Sequence, residues 1–160
     1  METTKYDVLK SHELIRNFSD LIDKLLSFKS NVVIGGTCAL ELHGLKIGRE
    51  IEDLDLIIYQ ANDKQKDILN TLEAFSRTQY YGADKRTIKV IGKYDMVLNI
   101  IKEDTFCPSD LLLYRGIPIQ NIGNVFKAKQ TYTGKKGTEY MRVKDMRDSI
   151  KLKELNFNLF

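Results

Sequence analysis

Apolar positions along the chain switch between two periods. Leu14, Ile15, Phe18, Leu21, Ile22, Leu25 and Leu26 recur at helical spacing and predict a first helix, with Ser11 as its N-cap. Residues 31–34 then read as a short buried strand stopped by Gly35-Gly36. A second helix is expected over 37–45, where Cys38, Leu42 and Leu45 share a face. Residues 54–59 form a strand, and 64–76 a helix carrying Ile68, Leu69, Leu72 and Phe75. Two more strands, 87–91 and 94–101, flank Gly92-Lys93, a two-residue hairpin signal.

Beyond Pro108 the pattern weakens. Leu111–Leu113 fits a strand or a helix, and Pro118 favours a short extended piece at the start of IPIQNI. Helices near 124–131 and 139–156 close the chain around the basic loop TYTGKKGTE. The expected fold class is therefore α/β or α+β: a small mixed sheet flanked by helices, with C-terminal helices. The hairpin argues against a purely parallel sheet. The 160 residues fit one domain, with a core over about 12–104 and a helical part over about 105–160.

Composition narrows the classes of function. No apolar run is long enough to span a bilayer, and the N-terminus has no apolar signal region, so no membrane role and a cytoplasmic setting are expected. Cys38 and Cys107 show no metal-ligand spacing, which fits a reducing compartment. The net charge of +3 is unevenly spread. Residues 127–160 carry nine basic and four acidic side chains, against sixteen and eighteen in the rest. An anionic partner, whether nucleotide phosphate or nucleic-acid backbone, would meet the C-terminal segment; a solvated lysine-rich helix face gives the same composition.

Asp53 and Asp55 break the apolar pattern of 54–59 and its approach. In a strand, positions i and i+2 share a face, which sets these carboxylates roughly 6–7 Å apart at the backbone. Like charges that close are costly unless a cation joins them, and magnesium suits carboxylates plus substrate phosphates. Upstream, Gly35-Gly36-Thr37 stands between a strand and a helix start. Glycines there let backbone approach a ligand, helix N–H groups favour an anion, and Thr37 adds a hydroxyl.

Gly-Gly-Thr, an apolar helix, and then Arg-x-x-x-Asp-apolar-Asp resembles the DNA polymerase β-like nucleotidyltransferases, and most nearly their minimal and AbiEii toxin-like members. The matching residues are Gly35, Gly36, Thr37, Arg49, Asp53 and Asp55. The resemblance implies metal-dependent transfer of a nucleoside monophosphate from an NTP to an acceptor, with release of pyrophosphate. Magnesium is the implied cofactor, with manganese as the alternative ion. The family's third carboxylate lies on a later strand after a hairpin, and within IGKYDMVLNII the resemblance assigns it to Asp95. Asn99 shares the strand face of Asp95 and is the competing position, although an amide cannot act as a base.

The resemblance extends to VFKAKQ and MRVKDMRDSIKLKEL, where Lys129, Arg142, Lys144, Asp145 and Asp148 stand at matching places. It implies that Lys129 and Lys144 reach triphosphate oxygens; ordinary helix-surface ion pairing is the alternative. Ile51 occupies a position where many relatives have Ser or Thr. Acceptors compatible with the resemblance are RNA, a protein hydroxyl or a small molecule, with an antitoxin as a possible protein partner. The competing class is a degenerate nucleotidyltransferase fold that binds a partner or RNA without turnover. Two histidines without paired spacing argue against zinc, and Gly134–Thr138 lacks the spacing of a Walker phosphate loop.

Overall fold

The computed structural model of the chain describes residues 10–45, 51–75 and 87–134. Its centre is a strand, β2 (Asp53–Tyr59), whose alternation sends Leu54, Leu56 and Ile58 to one face. Around it lie α1 (Lys10–Asn17), α2 (Ser19–Phe28), β1 (Val32–Gly35), α3 (Gly36–Leu42), α4 (Asp63–Phe75), β3 (Thr87–Ile91) and β4 (Val97–Glu103). A small hairpin, β5 (Leu113–Tyr114) and β6 (Ile117–Pro118), and the helix α5 (Ile122–Gly134) follow.

Among the described residues the main sheet has four strands in the order β1-β2-β4-β3. β1 is antiparallel to β2, β2 is parallel to β4, and β4 is antiparallel to β3. The fold is thus a mixed sheet flanked by helices, as the α+β pattern implied. Leu54, Leu56, Ile58, Leu98, Ile100 and Ile88 meet Leu14, Phe18, Ile22 and Leu25 of the first helices and Leu69 of α4 on one face. Burying an aliphatic side chain of this kind contributes about 1.5–3 kcal/mol. On the other face, Val33, Ile57 and Tyr59 are covered by Ile101, Cys107 and Leu111 toward one end of the sheet.

Several boundaries differ from expectation. The single first helix is bent at Phe18, whose φ of −109° and ψ of 16° leave helical values. Backbone bonds from Phe18 N–H to Leu14 C=O (3.2 Å) and from Ile22 N–H to Phe18 C=O (3.0 Å) run through the bend. The β3–β4 connection is longer than two residues: Ile91 pairs with Val97, and Gly92 N–H donates to Met96 C=O at 2.7 Å. Tyr94 and Asp95 both adopt left-handed backbone there, with φ of 59° and 58°, so β4 begins at Val97 rather than at Tyr94. The turn packs on the bend, because Asn17 Nδ2 donates to Lys93 C=O at 3.3 Å and the Phe18 ring lies against Gly92. The helix expected over 139–156 lies outside the described residues.

Candidate functional site

Cross-strand pairing aligns Gly35, Asp55, Asn99 and Lys89 in one row across the four strands. Directly paired residues share a face. Asp53 stands one step further out on β2, paired with Val97. The row lies toward the end of this face away from the loop 104–112, and both aspartates are half-buried.

Asn99 makes the central contact. Its Nδ2 donates to Asp53 Oδ2 at 2.8 Å and to Asp55 Oδ1 at 3.2 Å, so one oxygen from each carboxylate converges on a single point. An amide N–H between two carboxylates offsets part of their repulsion without carrying charge. Asn99 itself is buried, and its Oδ1 has no hydrogen-bond partner among the described residues.

The glycines upstream serve close packing against this pair. Gly36 has φ +64°, a region that L side chains rarely adopt, and a Cβ there would fall on the Asp55 carboxylate. A Cβ on Gly35 would meet Ile57 Cδ1 at 2.7 Å and Gln120 Oε1 at 2.8 Å. The Gly36 N–H donates to Gln120 Oε1 at 3.1 Å. Gln120 also joins β1 through its own N–H to Ile34 C=O (2.8 Å), and its carbonyl bonds His43 Nε2 at 2.9 Å. The glycine pair therefore admits a carboxylate and a side-chain amide, where the sequence suggested room for an anion.

Beneath the aspartates lies Cys38, whose thiol donates to the Asp53 carbonyl at 3.4 Å. Burial pushes its pKa up to about 12, with the Asp55, Glu41 and Asp53 carboxylates adding to the rise. It remains a thiol at neutral pH, which excludes it as a nucleophile in this state.

Of the residues expected at the site, the structure brings Gly35, Gly36, Asp53 and Asp55 together, with Thr37 half-buried in the first turn of α3. The expectation that Asp95 stands on a strand is corrected. Asp95 is exposed in the turn before β4, and Asn99 takes the place beside Asp53 and Asp55. Among the described residues no group of three His, Cys, Asp or Glu side chains could hold a metal. The Lys129 backbone belongs to α5; Arg49 and Lys144 lie outside the described residues. Lys89 and Gln120 were not singled out from the sequence. Alternation in TIKVI marks the face of Lys89, but only the β3–β4 register aligns it with Asn99.

Two solved structures from Helicobacter pylori resemble this fold. JHP933 is 18% identical, with 95% of this chain and 71% of that chain covered and a TM-score of 0.52. The other, called a "putative nucleotidyltransferase from H. pylori", is 17% identical, with 93% and 70% covered and a TM-score of 0.53. At such identities the likeness is one of fold, and the chain has a nucleotidyltransferase-like fold. No protein-family model matches the chain, and no curated protein matches it. Among the described residues no helix is long and apolar enough to cross a membrane.

Proposed function

We propose that the protein is a nucleotidyltransferase that moves a nucleoside monophosphate from an NTP to an acceptor. The observation that carries this reading is the convergence of one Asp53 oxygen and one Asp55 oxygen on a single point of a nucleotidyltransferase-like sheet. The name of one structural neighbour supports it. Asp53 and Asp55 would hold magnesium, or manganese in its place, whose charge offsets that of the triphosphate and of the departing pyrophosphate. The donor set fits such an ion, being made of hard oxygen ligands on one face.

Asp53 and Asp55 orient the triphosphate, while Gly35, Gly36 and Thr37 form one wall of its site. Arg49, Lys129 and Lys144 supply positive charge toward its oxygens. An acceptor oxygen bonds the α-phosphorus as the bond to the pyrophosphate oxygen breaks. Asp95, two residues before the partner of Asp53, receives the acceptor's proton. RNA or a protein hydroxyl is the favoured acceptor class and a small molecule the third candidate. Kinship with the toxin-like members, a cognate antitoxin and a cytoplasmic setting belong to the same proposal.

Incubation with α-labelled NTPs, magnesium, total RNA and lysate tests it. Label is expected on an acceptor with the native chain and to fall at least a hundredfold in Asp55→Asn. No transfer to any acceptor, together with no magnesium-dependent thermal shift by any NTP, overturns it. Asn99 favours a second reading, since it puts an amide beside the two aspartates. That reading is a binding module of the same fold, acting through a partner or RNA without turnover. It predicts a thermal shift or RNA binding with no label transfer.

A further inference from the structure

Two buried asparagines differ in how they are held. Asn31 is locked at both ends of its amide: Nδ2 donates to Tyr59 C=O at 2.6 Å, and Oδ1 accepts from Gln65 Nε2 at 2.7 Å. Asn99 is 8% exposed and is held at one end alone, with Nδ2 on the carboxylates and Oδ1 without a partner. A buried carbonyl without a donor costs about 1–3 kcal/mol, so its presence calls for a reason.

Turning the Asn99 amide by a half-rotation exchanges oxygen and nitrogen. On the inner side no described residue prefers either atom, so the exchange is opposed there only by the cost of burying an unpaired NH₂ in place of an unpaired oxygen, which the ion has to outweigh. The outer side therefore decides the orientation. Without an ion the NH₂ group faces outward and donates to both carboxylates. With a cation between the carboxylates, a donor pointing at it is repelled, and the carbonyl oxygen is attracted. Amide oxygens rank with carboxylates and water among the ligands of magnesium and manganese.

Resting on the reading of Asp53 and Asp55 as a metal site, we propose that Asn99 is the third protein ligand of a single divalent cation and that its amide turns over when the ion binds. One oxygen from each carboxylate converges on the single point that Asn99 Nδ2 occupies, which gives one ion its place. Asn99 therefore serves as a charge-free donor to the metal-free site and as an oxygen ligand in the filled one.

The test uses the full chain, with Mn²⁺ binding measured by calorimetry and by electron paramagnetic resonance. The native chain is expected to bind one ion without nucleotide; Asn99→Leu should bind it roughly tenfold more weakly, a size typical of removing a metal-site partner. Asn99→Asp should bind it more tightly and admit a second ion. In the native chain, the Asn99 side-chain amide resonances should move on addition of Mg²⁺, as their protons leave the carboxylates. Wild-type affinity in a folded Asn99→Leu overturns the assignment of the ligand, as does a second ion on the native chain. If Asn99→Leu does not fold, amide resonances unmoved by saturating Mg²⁺ in the native chain overturn it instead. Asp53→Asn separates this from the underlying reading. Wild-type Mn²⁺ affinity in that variant sinks the metal site itself, whereas loss in Asp53→Asn without loss in Asn99→Leu sinks only the role of Asn99.

Discussion

The two ends of β2 contain the same kind of residue in opposite circumstances. At the Tyr59 end, Asn31 and Gln65 bond each other reciprocally, at 3.0 and 2.7 Å, and Gln65 reaches on to Leu25 C=O at 2.9 Å. That network ties α2, β1, β2 and α4 together, and every one of its amide atoms is used. At the Asp53 end, Asn99 leaves an atom without a partner among the described residues, while its Nδ2 serves two carboxylates. A satisfied polar network rigidifies a core, whereas an unfinished one is a place where a ligand can complete the structure. The difference sets a fully paired end against the end that the proposed function takes as its site.

The largest expected effect breaks the fully paired end. Asn31→Leu should destabilise the fold by about 3 kcal/mol, because the Tyr59 carbonyl and the Gln65 amide lose buried partners. Urea denaturation checks this, and Asn99→Leu without metal should cost about 1 kcal/mol or less in the same experiment. A comparable loss in both would erase the contrast between the ends. Next in size, Gly36→Ala should cost about 2 kcal/mol, from left-handed backbone and a Cβ set against the Asp55 carboxylate. It should also weaken Mn²⁺ binding, since Asp55 has to move; unchanged affinity would argue against the close packing seen here.

A pH dependence should separate the ends further. Burial raises the pKa of Tyr59 above 10, with Cys107 and Glu103 adding to the rise. A raised phenol favours the folded state below its unfolded pKa, and that contribution is lost as pH climbs through the folded value. Stability should therefore fall above about pH 10, and Tyr59→Phe should flatten that part of the profile in urea melts at pH 9 and 11. The smallest effect belongs to Asp95→Asn. With Asp95 exposed on its turn, stability should stay within about 0.5 kcal/mol. Mn²⁺ affinity without nucleotide should change less than twofold, while label transfer should drop if Asp95 takes the acceptor's proton.

Much of the sheet was legible because alternation is a local property. Leu54, Leu56 and Ile58 announce a buried face, and the same period sets Asp53 and Asp55 on the other. The bend at Phe18 was not legible, since apolar spacing continues through it and the backbone bonds survive. The length of the β3–β4 turn was hidden for a similar reason: Gly92-Lys93 satisfies a short-hairpin rule, and packing against Asn17 and Phe18 holds a longer turn. Gln120 gave no signal, because it reaches Gly36 only after β6 has been laid beside β1.

By itself, the sequence determined the class of fold and the paired aspartates on one strand face, because both follow from periodicity within a few residues. Tertiary structure alone decided the third member of the cluster. Asp95 and Asn99 differ by four positions and have the same parity along the chain, so alternation cannot choose between them. The choice was made by the parallel register of β4 on β2, which sets Asn99 beside Asp55, and by the left-handed turn that ends at Asp95 before the strand begins. Register is a non-local property, fixed by the packing of apolar faces far apart in the chain.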